Sequence, residues 1–168
     1  MEPSRYLECL AADYARLREV APIDPSAAAA RRPEDPAGSW YTPDQTVGFW
    51  IRRMAQETVI HRVGAELGAG QTVAEVPDDL TVDGIDELLK IFVAFGVSDW
   101  GEYFEGILAN SPGRTYTIRA DGTAWRVRTG PGQFAVDDGP ADGAADVTVA
   151  GDPHALTELR QCIVTATQ

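Results

Sequence analysis

Near residue 110 the spacing of hydrophobic residues changes from a helical period to an alternating one. That change confines the chain to folds in which a helical part precedes a β-rich part. Ahead of it, at about 100° per residue, Val47, Trp50, Met54, Glu57, Thr58, His61 and Ala65 fall in one band of the helix surface. Phe49, Ile60, Val63 and Leu67 make a second stripe on another side. After Pro112, the segments RTYTIRA, AWRVRT, QFAVDD and ADVTVAG alternate apolar with polar residues, and DG and GPG turn signals punctuate them. The expected architecture is α+β, with a helical domain over residues 1–110 and a small antiparallel β-rich domain with a terminal helix over residues 111–168.

Individual elements follow from caps and periodicity. Leu7, Leu10, Ala11, Tyr14 and Leu17 predict an amphipathic helix over residues 4–20, closed by Pro22. APIDPSAAAARRPEDPAGSWY, residues 21–41, reads as a connection, and one of about twenty residues is uncommon in a compact domain. Thr42, Pro43 and Asp44 then signal the start of a helix that runs to about Gly68. Ile85, Leu88, Leu89, Phe92 and Phe95 predict a third helix over residues 82–96, and residues 99–110 a short fourth. Asp152 and Pro153 open a last helix over residues 153–166.

Charge narrows the range of partners. With 26 acidic residues against 14 basic ones the formal charge is −12, which opposes binding to phosphate backbones or anionic membrane surfaces. The amino-terminal stretch lacks the basic start and unbroken apolar run of a signal peptide, and no 18 consecutive apolar residues occur. A cytoplasmic protein is expected. Cys9 and Cys162 lie near opposite ends with no neighbouring cysteine, so a zinc ribbon or C-x-x-C redox motif is excluded and two buried or half-buried thiols are expected.

Within RRMAQETVIHR, Glu57 and His61 stand at i and i+4 and project from one face of a helix. A carboxylate and an imidazole so placed either hydrogen-bond to each other or converge on a metal ion. Their position on a stripe with Trp50 and Met54 predicts burial, and a buried carboxylate must be paired, protonated or metal-bound. A catalytic zinc site needs three protein ligands, and this pair supplies two. Arg52, Arg53 and Arg62 flank the pair, with Arg52 and Arg62 phased toward polar, solvated sides. Asp83, Asp86 and Glu87 read as acidic residues at a helix start, favoured by the dipole. Trp50 and Trp125 read as core, His154 as a helix-terminus residue, and no phosphate-binding or nucleophile-elbow motif is present.

The run TVGFWIRRMAQETVIHRVGAELGAG, followed by TVDGIDELL, resembles the mycothiol-dependent maleylpyruvate isomerase family. TAWRVRTG and ADVTVAGD are similar to the small C-terminal domain of that family. The resemblance implies a DinB-like four-helix bundle in which a divalent metal, usually zinc, is held by one His from a second helix and by the Glu and His of an E-x-x-x-H motif. Glu57 and His61 occupy the motif positions. It further implies mycothiol as the thiol cofactor and a small electrophilic substrate, to whose double bond the thiol adds and from which it is eliminated after rotation.

Departures accompany the match. After its first helix this chain enters the Ala/Pro stretch 21–38 where the family continues to a His-bearing helix, so the bundle is expected to be truncated and no third ligand is assigned. Gln56 stands where the family often has His, Gly64 where it often has Asp, and ALTELRQCIVTATQ replaces a Leu/Trp-rich tail with a closing Gly-Arg. Two functions follow as expectations. One is a metal-dependent, mycothiol-type thiol-using isomerase or transferase. The other is a catalytically inactive, shortened member that serves as a binding or dimerisation module, a homodimer pairing two half-bundles.

Overall fold

The computed structural model describes residues 32–139 and 144–151. The helices expected over residues 4–20 and 153–166, together with Cys9, Cys162 and His154, lie outside the described residues. The chain divides into two compact units, Met1–Ile51 and Arg52–Gln168.

In the first unit the end of the proline-rich stretch is ordered by hydrogen bonds. Pro36 and Thr46 form an isolated bridge, and the Gln45 side chain binds the Ser39 and Tyr41 carbonyls at 3.1 and 2.8 Å. Trp40 and Tyr41 pack on Phe49, with ring centroids 5.6 and 5.7 Å away. Helix α1, Val47–Gly68, starts later than the Thr42-Pro43-Asp44 signal because Thr46 caps it: its hydroxyl accepts the Phe49 N–H at 3.2 Å.

The second unit holds the remainder of α1, a long interrupted helix and the sheet. Helix α2, Asp78–Glu87, is preceded by Pro77 and carries Asp78 and Asp79 in its first turn, where carboxylates suit the helix dipole. It continues as a π-helical segment, Leu88–Ala94, and then as α3, Phe95–Asp99. The change in winding shows in the bonds. Leu88 N–H reaches Gly84, four residues back, whereas Phe95 N–H reaches Lys90, five residues back. The expected third helix is therefore present but longer than residues 82–96. A short 3₁₀ turn, Gly101–Tyr103, and a single turn α4, Glu105–Leu108, take the place of the short fourth helix.

Strands β1, Arg114–Ala120, β2, Thr123–Gly130, and β3, Gln133–Asp138, form an antiparallel meander. Asp121 and Gly122, at φ 43° and 74°, make the tight turn that the DG dipeptide signals. Strand β4, Val147–Ala150, departs from the expected antiparallel domain. The sheet order is β3-β2-β1-β4, and β4 runs parallel to β1, so the sheet is mixed. Asp146 fixes that entry: its carboxylate accepts the Thr115 N–H at 2.7 Å while its own N–H donates to the Thr115 carbonyl at 2.8 Å.

One face of the sheet packs on α2 and the π segment. Ile85, Leu89, Ala120, Trp125 and Val127 form the buried centre, with Val82, Tyr116, Ile118, Phe134, Val136 and Val149 around it. The class is α+β. No helix among the described residues is long and apolar enough to cross a membrane.

Candidate functional site

Of the two stripes of α1, the one with Phe49 and Val63 turns inward and the one with Met54 and His61 turns outward. The helix buries Phe49, Arg53, Gln56 and Val63, whereas Met54 is half exposed and the His61 side chain is 80% exposed. The stripe that carries Glu57 and His61 is thus the outward one, and the burial expected for the pair is corrected. The reason is that the inward stripe contains two polar residues that are paired. Gln56 donates to the Leu80 carbonyl at 3.0 Å and to the Asp83 carboxylate at 2.8 Å, and Arg53 forms an ion pair with Glu87, whose exposure is 0%. Pairing offsets the cost of burying such groups, and single-residue hydropathy does not register it.

At the outer edge, Glu57 Oε2 and His61 Nε2 lie 3.0 Å apart. The other carboxylate oxygen, Oε1, accepts a hydrogen bond from Arg53 Nη2. The Arg53 guanidinium also lies 4.7 Å from the centre of the Phe92 ring. Burial disfavours the Glu57 anion, but the hydrogen bond and charge of Arg53, and then those of His61, outweigh it and hold the carboxyl below the usual carboxylate range. Glu87, Arg53, Glu57 and His61 are therefore linked in series from the interior to solvent.

Beside this series lies a second cluster. Arg52, expected to be solvated, is half-buried and binds Asp83 and Asp86, each at 3.0 Å at the closest. Asp83, Asp86 and Glu87 are not at a helix start, since α2 begins at Asp78; they are ion partners of Arg52 and Arg53. Asp86 also receives Lys90 at 2.6 Å and the indole N–H of Trp125 at 2.9 Å, and Lys90 reaches Asp138 on β3. Burial works against the charge of Asp86, but the hydrogen bonds from Lys90, Trp125 and Arg52 prevail and hold its carboxyl low. Desolvation likewise opposes charge on Arg52 and Lys90, and their carboxylate partners raise both pKa values above the ordinary range. Arg62, also expected to be solvated, binds Glu66 at 3.0 Å and the Ala74 carbonyl at 3.2 Å.

The donor types at Glu57 and His61 suit a divalent ion, and the open position of the pair leaves room for further ligands. They account for two ligands: among the described residues no group of three or more His, Cys, Asp or Glu is arranged to hold a metal. Trp125 is 1% exposed, as expected of core, and Trp50 is half-buried with its indole N–H on the Gly38 carbonyl at 3.0 Å.

Residues 2–66 match the family model of the mycothiol maleylpyruvate isomerase N-terminal domain. The matched stretch ends just beyond His61 and takes in both residues of the pair. That stretch is thus similar to a domain of a mycothiol-related family. No curated protein and no solved structure matches.

Proposed function

We propose that the chain is a metal-dependent, mycothiol-type thiol-using isomerase or transferase acting on a small electrophilic substrate, with Glu57 and His61 as two of the metal ligands. The observation that carries this reading is the 3.0 Å approach of Glu57 Oε2 and His61 Nε2 at a solvent-open position inside the matched stretch. A divalent ion such as zinc, when bound, lowers the pKa of a coordinated thiol and so supplies a thiolate near neutral pH. Glu57 contributes a full negative charge, and Arg53 keeps its Oε1 occupied and leaves Oε2 beside His61. His61 presents an imidazole at the surface, where a thiol of low molecular weight has access. A cytoplasmic setting, where such thiols are kept reduced, suits this chemistry.

Protein purified without a metal-affinity tag should carry zinc by elemental analysis, and Glu57→Ala/His61→Ala should not. Wild-type protein with no more metal than the double variant would sink the reading. The alternative, a catalytically inactive, shortened member acting as a binding or dimerisation module, draws in its dimer form on the half-exposed Met54 on the same side of α1 as His61. Native mass spectrometry tests it, a monomer counting against it.

A further inference from the structure

The described cations divide by what they meet. Arg32, Arg52, Arg53, Arg62, Lys90 and Arg128 each pair with a carboxylate, and Arg126 reaches the Ala144 carbonyl. Arg114 and Arg119, at the two ends of β1, are exposed and have no side-chain partner among the described residues. In a chain with 26 acidic residues and 14 basic ones, cations left without a carboxylate are unexpected. Each lines an open cavity, of about 420 Å³ at Arg114 and about 410 Å³ at Arg119. The two cavities differ in charge. The one at Arg119 also holds the Asp121 carboxylate, which repels an anion. The one at Arg114 holds a second cation, Arg128, with Thr115, Thr129 and Gln133 as further polar groups and no acidic side chain among the described residues.

Strand register brings these groups together. Arg128 stands opposite Thr115 on one side and Ala135 on the other, so the three form a row across the sheet, and Arg114 and Gln133 close the same end of it. Ala135, with its short side chain, leaves space beside Arg128. Asp137 binds Arg128 and so holds its guanidinium, which keeps further N–H groups to donate. Arg114 adds a charge that no neighbour offsets. A net charge of −12 repels anions from the surface at large, so an anion retained here is held by these local donors and not by a general field. We propose that the Arg114–Arg128 cavity binds the oxyanion head of a small molecule, a carboxylate or a phosphoryl group, in the forks of the two guanidinium groups with Thr115 and Gln133 beside them. The cavity is of the size of small-molecule sites. It involves neither Glu57 nor His61, and the proposal does not depend on the metal-binding reading.

The test is a titration of the full chain with sodium phosphate and with sodium acetate, each at an ionic strength matched with sodium chloride, followed by amide chemical shifts in nuclear magnetic resonance. Saturable shifts are expected at Arg114, Thr115, Arg128, Thr129 and Gln133. The ion that saturates at the lower concentration identifies the head group, phosphate a phosphoryl group and acetate a carboxylate. Arg114→Ala should weaken the binding of that ion by about tenfold, the scale of a lost hydrogen bond between charged groups, and Arg119→Ala should leave it within about twofold. Both side chains are exposed and unpaired, so each variant should keep the wild-type amide spectrum away from the substituted residue. Shifts that sodium chloride alone reproduces, no saturable shift with either ion, or equal losses in the two variants overturn the proposal.

Discussion

Arg52 and Arg53 are neighbours in sequence, as are Asp86 and Glu87, yet the two pairings they make are of different kinds. Arg52 enters a closed cluster in which Asp86 is shared by Arg52, Lys90 and Trp125, and Lys90 continues to Asp138 on the sheet. Every group there ends on another group of the same unit. Arg53 belongs to a series that starts at the buried Glu87 and ends at His61, whose side chain is 80% exposed. The closed cluster ties α1, α2, the π segment and the sheet together. The open one runs from the interior to a carboxylate and an imidazole that meet each other at the surface. Polar clusters of similar composition thus divide into those that hold elements together and those that present atoms to solvent.

This contrast breaks most sharply at Glu87. Glu87→Ala should lower stability by about 3–5 kcal/mol in urea denaturation, because it leaves the Arg53 charge buried without its partner. A loss under 1 kcal/mol would mean that Arg53 has an adequate alternative in Glu57. In the closed cluster the indole can be tested alone. Trp125→Phe removes the N–H donor to Asp86 while retaining an aromatic ring, and should cost about 2 kcal/mol, the scale of a hydrogen bond to a charged group.

The Asp86 carboxyl is held low in the folded chain, so its contribution to stability is present above the ordinary Asp value of about 4 and is lost as pH falls through the folded-state value. Melting temperatures of the wild type should therefore fall between about pH 5 and pH 2, and Asp86→Asn should show a flatter dependence over that window. Equal slopes would assign the acid sensitivity to other carboxylates. The smallest effect is expected at the open end, where His61→Ala should change stability by less than about 0.5 kcal/mol. A larger loss would make His61 a structural residue.

Much of the sheet was legible because its signals are local. Asp121-Gly122 and Pro131-Gly132 occupy the two turns of the meander, and the register Ala120↔Thr123 and Gly130↔Gln133 closes directly across them. The direction of β4 was not legible, since it depends on the pairing of Asp146 with Thr115, 31 positions earlier in the chain, which the alternation within ADVTVAG does not reveal. The pairing of α1 was hidden for a related reason. Hydropathy assigns Arg53 and Gln56 to water, and only the placement of Glu87, Asp83 and the Leu80 carbonyl, 24 to 34 positions further along the chain, makes their burial favourable. The adjacency of Glu57 and His61 was legible from the i, i+4 spacing alone, and the exposure of the pair was not. The π segment has no local signature, as its sequence LLKIFVA suits an ordinary helix equally well.

A zinc-dependent melting experiment bears most directly on the Glu57–His61 pair. Ligand at about 100 times its dissociation constant stabilises the folded state by about 2.7 kcal/mol, which raises the melting temperature of a chain of this size by several degrees. Wild-type protein should show that rise on addition of zinc, and His61→Ala, equally stable without metal, should show none. An unchanged melting temperature for the wild type, or the same rise in His61→Ala, would contradict the assignment of Glu57 and His61 as the metal-binding end of the series.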